Sequence, residues 1–138
     1  MHFWHNKFVY VQKKLYLCRR IMLTHLHIRN YALISHLDID FHEGFSVMTG
    51  ETGAGKSIIL GALNLVMGAR ADSKSITEGE ERCVIEATFS CLEDGSRAAY
   101  GLEDAPSELQ ARGREVIIRR ELNQNGRSRS FVNDEVVT

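Results

Sequence analysis

Residues Gly50–Ser57 read GETGAGKS, and this stretch decides what kind of chain it is. It fits the pattern G-x-x-x-x-G-K-[ST] of a phosphate-binding loop. At average residue frequencies the four fixed positions would coincide in roughly one in two hundred chains of this length, so the match is not treated as an accident. Gly50, Gly53 and Gly55 open backbone conformations that a β-carbon would block. The amides of Gly53, Ala54, Gly55, Lys56 and Ser57 can then turn inward on phosphate oxygens, and a helix beginning near Lys56 adds its positive dipole end. In such a loop the Lys56 ammonium bridges the β- and γ-phosphates and the Ser57 hydroxyl ligates Mg²⁺. Glu51 and Thr52 fill the variable positions of the loop. The expected cofactors are ATP and Mg²⁺.

The flanking sequence fits a strand, the loop and a helix in that order. FSVMTG, residues 45–50, reads as a short buried strand. Beyond the loop, Ile59, Ala62, Leu63 and Val66 recur at the spacing of an amphipathic helix, and Gly68 suits its C-terminal cap. Upstream, MLTHLHIRNY alternates, with Leu26 and Ile28 on one face and His25, His27 and Arg29 on the other. LISHLDIDF places Leu33, Leu37, Ile39 and Phe41 opposite His36, Asp38 and Asp40. With Asn30-Tyr31-Ala32 as the link, the two runs predict an antiparallel hairpin.

Downstream, ARADSKSITEGEE reads as an exposed loop and CVIEATFS as a strand. Residues 92–114 are polar, with the single proline Pro106, and are expected to hold one or two short helices. EVIIRREL and RSRSFVN are separated by Asn123-Gln124-Asn125-Gly126, whose Asn-Gly step is a hairpin signal because both residues tolerate positive φ. Asn133-Asp134-Glu135 reads as a further turn leading into VVT.

The remainder bounds the function. The chain has 138 residues, 43% hydrophobic and 25% charged, with a net charge of −1. That balance leaves no bulk electrostatic footprint for nucleic acid or membrane. Residues 1–21 carry Lys7, Lys13, Lys14, Arg19 and Arg20 with no acid, and Gln12-Lys13-Lys14 cuts their apolar run, so they form neither a secretory signal nor a membrane span. They are expected to be a basic, disordered leader, a picture that a start placed too far upstream would also produce, with Met22 opening the folded unit. Cys18, Cys83 and Cys91 make no C-x-x-C pair, which suits a reducing cytosol. His25 and His27 share a strand face, but two ligands do not make a metal site and no convincing third lies nearby in sequence; they are expected simply to face solvent. Arg112, Arg114, Arg119, Arg120, Arg127 and Arg129 offer either a basic strand face toward DNA phosphates or the solubilising charges common on exposed strands.

The stretch from Met22 to Ser73 resembles the N-terminus of the RecN family of bacterial DNA repair proteins, members of the SMC-like group of ABC-type ATPases. Its most specific pieces are TGETGAGKSI, GARADS and RRELNQNGRSRSFVN, and the resemblance covers Met22–Thr138. Where SMC-type heads often carry Asn-Gly, this chain has Asn133-Asp134, which suits the same turn. The resemblance implies a cytoplasmic, nucleoid-associated protein of recombinational double-strand-break repair, with DNA as the partner of the intact protein. It also implies a C-terminal half of the head, joined by a coiled coil, and a second head that together sandwich ATP. Arg29 and Asn30 carry over only weakly as base or ribose contacts.

The glutamine, the Ser-Gly-Gly signature and the Asp-Glu pair that such heads use for hydrolysis lie, in the family, beyond the matched region. Asp134-Glu135 is interrupted by Asn133 and is expected to be a turn. The expected fold is thus mixed α and β, the N-terminal lobe of an ABC/SMC-type ATPase head over residues 22–138, with antiparallel hairpins around the loop–helix unit. No residue is assigned a catalytic role. The expected function is ATP binding without turnover by the chain alone, as a truncated product or fragment. A self-sufficient small phosphotransferase, or an interaction module with a vestigial loop, are the alternatives; small nucleotide kinases usually place the loop on their first strand.

Overall fold

The computed structural model describes residues 21–42, 44, 46–49, 54–91 and 115–137. The leader up to residue 20, loop residues Gly50, Glu51, Thr52 and Gly53, the polar segment 92–114 with its expected short helices, and Thr138 lie outside the described residues. Strands β1 (Ile21–Tyr31) and β2 (Ile34–Asp40) come first, followed by helix α1 (Ala54–Val66) and a 3₁₀ turn at Ser73–Ser75. Strands β3 (Arg82–Cys91), β4 (Glu115–Asn123), β5 (Ser128–Val132) and β6 (Glu135–Val137) complete the order. The six strands form one sheet, β2-β1-β3-β4-β5-β6, in which every pairing is antiparallel.

Alternation assigns the two faces of the sheet. Leu26, Ala87, Ile118 and Val132 lie in register across β1, β3, β4 and β5, and all four are buried. On the same face Ile28 and Ile85 are fully buried. Helix α1 covers this face, contributing buried Ala62, Leu65 and Val66 with half-buried Ile59 and Leu63. Leu65 was not among the expected core positions; it falls one position before Val66 on the same broad apolar stripe. A bulge in β1 between Leu23 and His25 breaks strict alternation, so that Leu23 packs on the core as Leu26 does.

The helix ends as its sequence implies. Gly68 adopts φ +108. Its N–H donates to Leu65 O at 3.2 Å, and the Ala69 N–H donates to Asn64 O at 2.9 Å. These two bonds are the 5→2 and 6→1 pair of a Schellman cap.

Four expectations need correction. Residues 46–49 are not a strand, and Val47 and Met48 are 64% and 46% exposed. A strand needs a ladder partner, and neither sheet edge, β2 or β6, pairs with this segment. The β1–β2 link is Ala32-Leu33, since Tyr31 still pairs with Ile34, and Leu33 projects from the turn 82% exposed rather than facing the core. The loop after α1 is not wholly exposed. Ile76 is buried and bridges Tyr31, while Ala32 N–H donates to Ser75 O at 2.7 Å and Thr77 Oγ1 donates to Ala32 O at 2.9 Å. Finally, the β4–β5 hairpin forms as expected but by another device. Only Gly126 takes positive φ, +80, and Gly126 N–H donates to Asn123 O at 3.0 Å. This is a three-residue loop with a left-handed glycine, not a two-residue Asn-Gly turn.

The face opposite α1 is polar. Asp38, His27, Glu86, Arg119 and Phe131 lie in one register row across β2, β1, β3, β4 and β5. Acidic and basic residue types alternate along that row until Phe131, whose ring lies 4.3 Å beneath the Arg119 guanidinium.

Candidate nucleotide site and a second polar cluster

Of the expected loop residues, Ala54, Gly55, Lys56 and Ser57 form the first turn of α1. The first four N–H groups of a helix have no acceptor within it, and no acidic side chain stands in this turn to occupy them. Gly55 and Ser57 are exposed and Lys56 is half-buried. Glycine inside a helix start costs about 1 kcal/mol relative to alanine. At Gly55 no described atom lies within 4 Å of where a β-carbon would stand, so packing does not explain its use. Main-chain amides of a helix start, the Lys56 side chain and the Ser57 hydroxyl fall together in this first turn. These residues fit a triphosphate with its Mg²⁺, which would rest on the amides, Lys56 and Ser57 respectively.

Other candidate residues have been drawn into the fold. Asn30, at φ +55, donates from its amide to Glu80 Oε2 at 3.0 Å and to Arg82 O at 3.1 Å. Asp134 belongs to the β5–β6 turn, where Asn133 and Asp134 have φ +49 and +67 as a type I′ turn requires. Its carboxylate accepts from Arg119 at 2.7 Å, so the Asp134-Glu135 step serves the turn. Arg119 also lies 3.9 Å from Glu86 and 3.4 Å from Glu121. Arg120 points to the opposite face, where its Nε donates to Ser128 Oγ at 2.6 Å and partial burial lowers its pKa. Arg127 and Arg129 are exposed, and Arg112 and Arg114 lie outside the described residues. Among the described arginines, Arg119 and Arg120 lie on opposite faces of the sheet.

The sequence pattern of the family described as AAA domain matches residues 25–137, which takes in both the helix and the whole sheet from His25 onward. The chain belongs to the AAA domain family. Over 117 residues, 85% of this chain, it is 44% identical to the DNA repair protein RecN of Haemophilus influenzae, bearing out the resemblance. It spans about a fifth of the length of the curated relatives it matches, 21% in that case. Two solved structures share the fold. An Smc head bound to the C-terminal winged-helix domain of ScpA superposes with a TM-score of 0.61 at 23% identity, covering 84% of this chain and 36% of that one. The recombination mediator RecF with ATP gives 0.62 at 18% identity, covering 86% of this chain and 28% of that one. The fold is that of an N-terminal ATPase-head lobe. Among the described residues, no helix is long and apolar enough to cross a membrane.

Away from the loop, this AAA domain carries a cluster that the sequence reasoning missed. Opposite His27 in the β1–β2 ladder stands Asp38, and opposite His25 stands Asp40. His27 Nδ1 donates to Asp38 Oδ1 at 2.7 Å, while His36 Nε2 lies 2.9 Å from Asp38 Oδ2. His25 spans both acids, with Nδ1 2.6 Å from Asp40 Oδ1 and Nε2 3.3 Å from Asp38 Oδ1. The hydrogen bond to Asp40 is the chief reason the His25 pKa is raised, and the bond from His27 is the chief reason that of Asp38 is lowered. The histidines do face solvent, as expected, and the fold brings His36 and Asp38 beside His27 as further groups that could hold a metal ion. The signal was present in HLH and HLDID: once a two-residue turn fixes the register, alternation brings these side chains onto one face.

Proposed function

We propose that this chain is the ATP-binding part of a RecN-like ATPase of recombinational DNA repair. Gly50–Ser57 would form the phosphate cradle, with Lys56 on the β- and γ-phosphates and Ser57 on Mg²⁺. The observation that supports this is the start of α1 at Ala54, which puts Gly55, Lys56 and Ser57 in its first turn, the position that the loop pattern in the sequence requires. Likeness to RecN over 85% of the chain supports the repair context. A cytoplasmic location and action on DNA follow from that reading and belong to the longer protein.

ATP binding without turnover is the expected behaviour of this chain alone. Its one Asp-Glu step among the described residues, Asp134-Glu135, is held in a turn by Arg119, leaving Ser57 as the single metal-binding side chain assigned to the site. Water activation needs a positioned base, and none is assigned. Titration of the full chain with a fluorescent ATP analogue and Mg²⁺, beside a steady-state phosphate-release assay, tests the reading. Saturable binding that weakens at least tenfold in Lys56→Ala, with no phosphate release, is the expected result. Phosphate release abolished by Lys56→Ala would instead establish a self-sufficient enzyme. Identical, negligible binding by both proteins would make the loop vestigial.

A further inference from the structure

We propose that His27, His36 and Asp38 form a binding site for a divalent transition metal of the zinc class on the open face of the β1–β2 hairpin. This site is independent of the nucleotide loop, because all three residues lie on the sheet face opposite α1. Two neighbouring strands build it. His27 is the direct partner of Asp38 across the ladder, and His36 stands two residues from Asp38 along β2, on the same face.

The donor set is two imidazole nitrogens and one carboxylate, a combination suited to Zn²⁺ and its neighbours in the transition series. Mg²⁺ and Ca²⁺ prefer all-oxygen shells and would be poorly served. The ligand atoms all lie within 4.8 Å of one another. His27 and His36 approach different oxygens of Asp38, at 2.7 and 2.9 Å. In a tetrahedral zinc site with bonds of about 2.0–2.2 Å, adjacent ligand atoms stand about 3.3 Å apart. Replacing the shared protons by a metal opens the two His–Asp38 pairs by only about half an ångström, while the His27 and His36 nitrogens, already within 4.8 Å of each other, would draw together.

Burial and charge favour the same conclusion. His36 is 62% exposed and Asp38 43%, which leaves room for water to complete the coordination shell. The His27 and His36 rings meet edge to face, with centroids 5.3 Å apart, rather than stacking across the site. His25 braces the Asp38 carboxylate at 3.3 Å and is itself held by Asp40, an outer-shell arrangement of the kind that orients metal ligands. Glu86, opposite His27 on β3, adds negative charge to the face, and Arg29, opposite His36, adds positive charge at its other end. A bound metal would tie edge strand β2 to β1.

The test uses the full chain, stripped with EDTA and then titrated with zinc chloride by calorimetry. Stoichiometry is compared with His36→Ala, Asp38→Asn and the off-cluster control His42→Gln. The wild type should bind one Zn²⁺ more than His36→Ala and Asp38→Asn, while His42→Gln keeps that equivalent. Zn²⁺ should raise the wild-type melting temperature reversibly to EDTA, and Mg²⁺ at equal concentration should not. Co²⁺ substitution should give a visible spectrum of nitrogen and oxygen coordination. Equal Zn²⁺ stoichiometry in wild type and both cluster variants would overturn the site. So would a sulfur-to-cobalt charge-transfer band, which would place the metal on cysteine, or the absence of saturable Zn²⁺ binding.

Discussion

Gly126 holds φ +80 with open space where a β-carbon would stand, so a substitution there meets no clash and costs backbone strain alone. Gly126→Ala should lower stability by about 1–2 kcal/mol in chemical denaturation, and Gly126→Asn by distinctly less, since asparagine tolerates the left-handed region. Gly61 presents the opposite case, set inside α1 with a would-be β-carbon 2.8 Å from Tyr31 Oη. Overpacking of about 1–3 kcal/mol then outweighs the ~1 kcal/mol that alanine offers a helix. Gly61→Ala should therefore destabilise the wild type yet stabilise a Tyr31→Phe background, where the clashing oxygen is gone; a double-mutant cycle reads this change of sign.

Cys83 is 1% exposed, and burial pushes its thiol from 9.0 up to about 11. A thiol whose folded pKa is raised is held neutral by folding. Its contribution to stability is thus complete below pH 9 and is lost between pH 9 and 11. At pH 8 alkylation of Cys83, followed by peptide mass mapping, should be slow until denaturant opens the fold. At this scale the sequence was readable where a residue's own backbone preference decides the outcome, as at Gly68, which caps α1 as expected. It was not readable at Gly61 or Asn30, whose roles depend on partners 30 and 50 residues away.

Among the elements, the hairpins were the most legible, because alternation over HLHI, CVIEATF and EVIIRREL fixes both strand and face. Turn mechanism was less so. Asn125-Gly126 signals a reversal but does not distinguish a two-residue turn from three residues closed by a glycine, a choice made by the register Leu122↔Ser128. The type I′ turn at Asn133-Asp134 yields a prediction. Both central residues have positive φ, and Asp134 makes only an exposed contact with Arg119, its side chain 74% accessible. Asp134→Gly should be neutral or raise stability by up to about 1 kcal/mol in urea denaturation, relief of strain offsetting a surface pair of little value. A loss larger than that would mean Arg119 relies on Asp134 more than geometry implies. FSVMTG was misread because an apolar run reports burial in some partner without saying where that partner is.

At the level of the whole molecule, α1 is the one α-helix among the described residues, and it covers the apolar face of the sheet. Leu65, 5% exposed, should cost about 2–5 kcal/mol on truncation to alanine. Leu60, 60% exposed on the same helix, should cost almost nothing; equal losses at both positions would mean the helix is rotated about its axis. Leu33, Val47, Met48 and Val136 add further exposed apolar surface. The order of strands was less legible than the strands themselves, since β1 pairs with β3 across the whole loop–helix unit and no local pattern announces that contact.

The polar row that crosses five strands has a bearing on how β3 finds β4. A slip of two residues leaves every inward side chain inward, so the apolar pattern alone cannot reject it. Slid one way, Glu121 would confront Glu86; slid the other, Arg119 would meet Val84 and lose Glu86 from among its three acidic neighbours. Electrostatic mismatch thus acts as a fine ruler where hydrophobic patterning supplies only a coarse one, and a Glu86→Lys exchange would be expected to blur the alignment before it unfolds the sheet.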